Sequence, residues 1–135
     1  MRRILGIVAL GLLVGTTVHA EGYPWWQDAA VQLELKLTPQ QILGIEGVFQ
    51  RTLPERRTFR YKVDRLESGV RELLYRAEAD DVTAAAEIAE LEEARAQRKG
   101  ARTLMLLRMY RFLTSEQRLA LTRLQNRWER QAPTR

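Results

Sequence analysis

Histidine and cysteine are almost missing from this chain. Its 135 residues hold no cysteine and a single histidine, His19. Without thiols there is no disulfide framework and no cysteine nucleophile. His19 lies in a segment expected to be removed, so the remainder has no imidazole either. Ser/His/Asp and Cys/His catalysis are thereby excluded. So are zinc, copper(II) and nickel sites, which want imidazole or thiolate. No glycine-rich phosphate loop is present. Carboxylates are plentiful at Asp80, Asp81, Glu87, Glu90, Glu92 and Glu93. They stand among alanines and arginines, the pattern of a solvated helix face rather than of a catalytic pair. Met105 and Met109 stand at i, i+4 and would offer thioethers to copper(I), but inside an apolar run they read as core. The chain is read as a non-enzyme with no cofactor and no metal.

Excess charge is scarce too. The formal net charge is +5. Setting Arg2 and Arg3 aside leaves 20 basic side chains against 17 acidic ones. That is a mild excess and no nucleic-acid footprint. Arg2 and Arg3 are followed by an apolar run, Ile4 to Val14, and then by Val18-His19-Ala20. This is the pattern of a secretory signal peptide over residues 1–20, cleaved after Ala20. The run is shorter than the ~20 residues a bilayer span requires. No stable membrane insertion is expected after cleavage.

One five-residue pattern occurs twice. Leu37-Thr38-Pro39-Gln40-Gln41 and Leu113-Thr114-Ser115-Glu116-Gln117 both read L-T-x-x-Q. A threonine at an N-cap with glutamine three residues on is a capping box. The hydroxyl accepts from the glutamine amide, and the glutamine side chain accepts from the threonine amide. Each copy starts a helix, and Pro39 suits the first helical position. Leu37 and Ile42 have the spacing of a hydrophobic staple, whereas Arg118 occupies that place in the second copy. The chemistry of both boxes is expected to be consumed locally.

The elements follow from these signals. Residues 21–36 are expected to form a lead-in arm, in which Trp25 and Trp26 either pin the arm to the body or meet a partner. A helix runs from Thr38 through Ile42, Ile45, Val48 and Phe49 at i, i+3, i+4 spacing. Thr52 and Glu55 make another capping box around Pro54, so a break or kink is expected there. A second helix, from about Leu53 to Glu78, carries the stripe Phe59, Val63, Leu66, Val70, Leu73, Leu74 and Ala77. A third spans about 82–112 and ends in an apolar stretch expected to be buried on more than one side. A fourth follows the second box. The fold class is all-α, with a helical domain over 37–131 and a frayed tail at 132–135. The third helix would be about 45 Å long, too long for a globule of this size, whose radius of gyration is near 13 Å. An elongated hairpin that pairs as a homodimer is expected.

One run is basic and partly aromatic: Arg51, Arg56, Arg57, Arg60, Lys62 and Arg65, with Phe59 and Tyr61 interleaved. One reading is a solvated face opposite the apolar stripe. The other is a surface for acidic or amphipathic partners, carried by Arg56, Arg57, Arg60, Tyr61 and Arg65.

The two L-T-x-x-Q boxes, the signal peptide and the helical body together resemble the Spy/CpxP-like periplasmic proteins. The resemblance covers Leu37 to about Trp128 and rests on Leu37, Thr38, Gln41, Leu113, Thr114 and Gln117. It implies a four-helix, cradle-shaped antiparallel dimer in the periplasm. It further implies an ATP-independent chaperone for unfolded envelope proteins. The alternative it offers is a regulator that binds the periplasmic domain of a membrane sensor in envelope-stress or heavy-metal-resistance signalling. A related branch binds metals through histidine and similar ligands, which this chain lacks after Ala20.

Overall fold

A computed structural model describes residues 23–132. The expected signal segment and all but Ala132 of the expected tail lie outside the described residues. The fold is all-helical, with no strand among the described residues. Among the described residues, four α-helices follow a 3-10 turn at Trp25–Gln27: α1, Ala29–Glu34; α2, Pro39–Arg76; α3, Asp81–Tyr110; α4, Ser115–Gln131.

Four helices were expected; α3 and α4 stand where they were expected, and the first two differ. No break occurs at Pro54. The helices expected before and after it are the single 38-residue α2. Proline removes one i→i−4 bond from a helix interior. Thr52 does not cap a new helix. Its hydroxyl donates to the carbonyls of Val48 at 3.0 Å and Phe49 at 3.1 Å, one turn back. Buried side chains on both sides of the proline, Ile45, Val48 and Val63, hold one continuous face in place. Core packing on both sides therefore outweighs a local penalty of about 3 kcal/mol.

α2 ends at Ala77, whose φ of 53° is left-handed. Asp80 caps α3, accepting from the Thr83 amide at 2.9 Å. α3 packs against α2. Lys62 donates to Gln97 at 3.5 Å, and Arg95 pairs with Glu67 at 3.0 Å. Val63, Leu91 and Ala94 make a small core between the two helices. The larger core lies at the other end. There Ile45 and Val48 of α2 meet Met105 and Met109 of α3, Leu121 and Leu124 of α4, and Trp25, Trp26, Val31 and Leu35. The apolar end of α3 is buried on one side only: Met105, Met109 and Leu113 are inside, while Leu104, Leu107 and Phe112 are 44%, 50% and 41% exposed.

The lead-in arm is part of this core rather than an appendage. Trp25 and Trp26 are 4% and 3% exposed. Asp28 caps α1, a helix the sequence reading did not anticipate, by accepting from the Ala30 amide at 2.8 Å. Glu46 of α2 fastens the arm. It accepts from the Gln50 amide, the Trp26 indole N–H and the Gln27 amide. These bonds hold its carboxyl below the usual carboxylate range, against a smaller opposing effect of burial. A depressed pKa stabilises the fold above the ordinary glutamate value and ceases to do so as pH falls through the depressed one. Tryptophan emission followed down to acid pH in mild urea should show the arm loosening below the ordinary glutamate range. Glu46→Gln should flatten that limb; an unchanged profile would remove Glu46 as its source.

Two glycines make opposite demands. A Cβ on Gly44 would sit 2.3 Å from Cε1 of Phe112, so the ring covers the bare backbone of α2. A Cβ on Gly100 would meet nothing within 4 Å. Gly100→Ala should therefore gain about 0.5–1 kcal/mol of helix stability. Gly44→Ala should fail to show that gain, because the phenyl ring must swing away. Paired urea melts check both, and equal gains would contradict the placement of Phe112.

Candidate functional site

Both capping boxes form as the sequence predicts. The Gln41 amide donates to Thr38 Oγ1 at 3.2 Å, and the Thr38 amide to Gln41 Oε1 at 3.0 Å. The second box repeats this, with 3.2 Å from the Gln117 amide to Thr114 and 2.9 Å from the Thr114 amide to Gln117. Leu37 is half-buried against the larger core and Leu113 is inside it. Arg118, in place of a staple, donates to the Leu113 carbonyl at 2.6 Å.

Their chemistry is not consumed locally. A capping glutamine uses only its Oε1, which leaves two N–H donors to place. Gln41 Nε2 donates to Gln117 Oε1 at 2.7 Å, and Gln117 Nε2 returns the bond to Gln41 Oε1 at 3.0 Å. The remaining donors also cross. Gln41 Nε2 reaches the Phe112 carbonyl at 2.8 Å, and Gln117 Nε2 reaches those of Leu35 and Lys36 at 3.1 and 3.4 Å. Each side-chain amide is thus fully satisfied, by one bond inside its own box and by the rest across to the other end of the chain. The pair joins the starts of α2 and α4. A signal for this was present in the sequence: the same amide at the same box position, twice, with its donors unaccounted for.

The five residues of the basic run do not form one patch. At about 100° per residue, Arg56 and Arg60 share one flank of α2. Arg57, Tyr61 and Arg65 lie progressively further round, away from the core, and Tyr61 is 76% exposed. Arg56 is the exception in burial. Its guanidinium stacks over the Phe49 ring, 4.6 Å from the centroid. Its Nε donates weakly to the Thr52 hydroxyl at 3.4 Å, and its Nη2 is buried with no partner. Partial burial and the neighbouring charges of Arg60, Arg102 and Arg57 push its pKa down. Arg102 comes from α3 and has no counterpart in the sequence reading. Its nearness to Arg56 follows only from the packing of α3 on α2.

Among the described residues no group of three or more histidine, cysteine or carboxylate side chains is placed to hold a metal ion. None of the described helices is long and apolar enough to cross a membrane. No family model, no curated protein and no solved structure matches the chain.

Proposed function

We propose that this is a periplasmic, ATP-independent chaperone-like protein that holds unfolded or misfolded envelope proteins. The observation that carries the reading is the surface of α2 and α3. Large apolar side chains (Tyr61, Leu104, Leu107) stand open there beside arginines of the same helices. Such a surface retains apolar segments by short-range contact and draws acidic ones in electrostatically, without requiring one shape of partner.

The quaternary reading belongs to the same proposal. α2 and α3 act as an elongated hairpin, and two copies pair antiparallel into a cradle. Support comes from the thin core toward the 77–80 turn, where Leu74, Tyr75 and Val82 are 74%, 88% and 81% exposed. Apolar area left in water at that density favours a second layer. The residues after Ala20, purified without nucleotide, should suppress the aggregation of several unrelated unfolded clients at modest molar excess. Light scattering should give the mass of a dimer at micromolar concentration. Failure with every client would sink the holdase reading. Tight capture of one membrane sensor domain, with no effect on clients, would replace it by the regulatory one.

A further inference from the structure

Charge is segregated along α3. Over residues 81–93 its charged side chains are all acidic: Asp81, Glu87, Glu90, Glu92 and Glu93. From residue 94 to the C-cap Arg111 they are all basic: Arg95, Arg98, Lys99, Arg102, Arg108 and Arg111. At about 100° per residue, Val82, Ala85, Ala89, Ala96, Thr103 and Leu107 lie within about 60° of one another. They stand opposite Leu91, Ala94, Met105 and Met109, which pack inside. This second face therefore looks away from α2, and all six of its residues are exposed. It holds an open groove lined by Ala96, Lys99, Gly100, Thr103, Leu104 and Leu107. Glu90, Glu92 and Glu93 flank the face in its first half, and Lys99, Arg108 and Arg111 flank it in its second. Of these six, only Glu92 has an ion pair among the described residues, with Arg95.

We propose that a second copy of the chain covers this face, α3 against α3, antiparallel about a two-fold axis near Ala96. This rests on the proposed dimer and names the surface that makes it. Charge selects both the partner and the direction. An antiparallel pair sets each acidic half against the basic half of the other copy, whereas a parallel pair would set like against like. The sign changes between Glu93 and Arg95, which places the axis there, and Ala96 is the outward residue nearest to it. In that register small residues receive larger ones. Ala85 lies across from the partner's Leu107, and Ala89 across from the partner's Thr103. Alanine and glycine at the contact let two helix axes approach to about 8 Å. The contact is isologous, so it closes at two copies. Leu107 is covered in the pair, and the surface offered to clients shifts to the outward side of α2, with Arg57, Tyr61 and Arg65.

The chain has no cysteine of its own, so engineered ones report the pairing without background. Ala96→Cys should give a disulfide-linked dimer under mild oxidation. Ala85→Cys and Leu107→Cys should each stay unlinked when oxidised alone and should link when the two variants are mixed. Ala96→Glu sets two carboxylates on the axis without touching the core. By light scattering it should raise the dissociation constant of the dimer at least about tenfold, and about 0.5 M salt should weaken the unsubstituted dimer in the same direction. Asn126→Glu on α4 adds the same charge and should leave the mass unchanged. A dimer that links neither through Ala96→Cys nor in the mixed pair overturns this placement while leaving the dimer itself. So does a dimer that Ala96→Glu weakens no more than Asn126→Glu. A monomer throughout overturns both. Client holding is read in parallel: its loss with every expected link formed overturns the proposed function and upholds the interface.

Discussion

Replacing Gln41 by alanine should lower stability by about 2–3 kcal/mol, from four hydrogen bonds worth roughly 0.5–1.5 kcal/mol each that overlap in what they hold. Gln117→Ala should cost a similar amount, since Gln117 makes the mirrored set of bonds. Thr38→Ala, which loses only a cap, should cost less, about 0.5–2 kcal/mol. The informative quantity is the double variant. Each single replacement already destroys the reciprocal amide pair and strands the other glutamine. Removing both should therefore cost less than the sum by about 1–2 kcal/mol, the coupling expected of groups in one network. Urea melts of the four proteins close the cycle. Strict additivity would mean that the two boxes act as independent caps and that the cross-bonds contribute nothing.

Trp26→Ala should be the most damaging single change in the N-terminal segment, at about 3–5 kcal/mol. The indole is buried, packs on Phe49 at 5.0 Å and on Trp25 at 5.6 Å between ring centroids, and donates to Glu46. Against a total stability of about 5–15 kcal/mol for a domain, such a loss brings the protein near its unfolding threshold. Trp26→Phe separates the two contributions. It keeps most of the buried ring and drops the bond to the carboxylate, which should cost about 1.5–3 kcal/mol. A small effect of Trp26→Ala would mean that the arm is an ornament and that the core begins at α2.

What could be read from the sequence was what depends on near neighbours. Thr38 and Thr114 cap helices because a hydroxyl finds an amide three residues on, whatever the rest of the chain does. The break at Pro54 was expected for the same reason and is absent. The local rule demands a break, but Ile45, Val48 and Val63 are buried together on one face, and that is visible only in the fold. The end of α2 carries no stop signal, because Ala77 takes a left-handed conformation that glycine usually supplies. The apolar end of α3 suggested burial on several sides, whereas one chain covers only the side of Met105 and Met109. The arginines of the basic run were evident from composition. Their division between two sides of α2, and the arrival of Arg102 beside Arg56, depend on the register of α3 against α2.

The glutamine pair also bears on the order in which the chain folds. Its two members are 76 positions apart, so an unstructured chain rarely brings them together. Once α3 has packed against α2, the starts of α2 and α4 are already close, and the bonds form at little further entropic cost. They are expected to form late on the folding route, beyond the rate-limiting barrier. Interactions absent from that barrier leave the folding rate alone and slow the escape from the native state. Losing either glutamine should then leave refolding as fast as before and make unfolding faster. In that role the repeated motif is a clasp that sets how long the folded protein lasts.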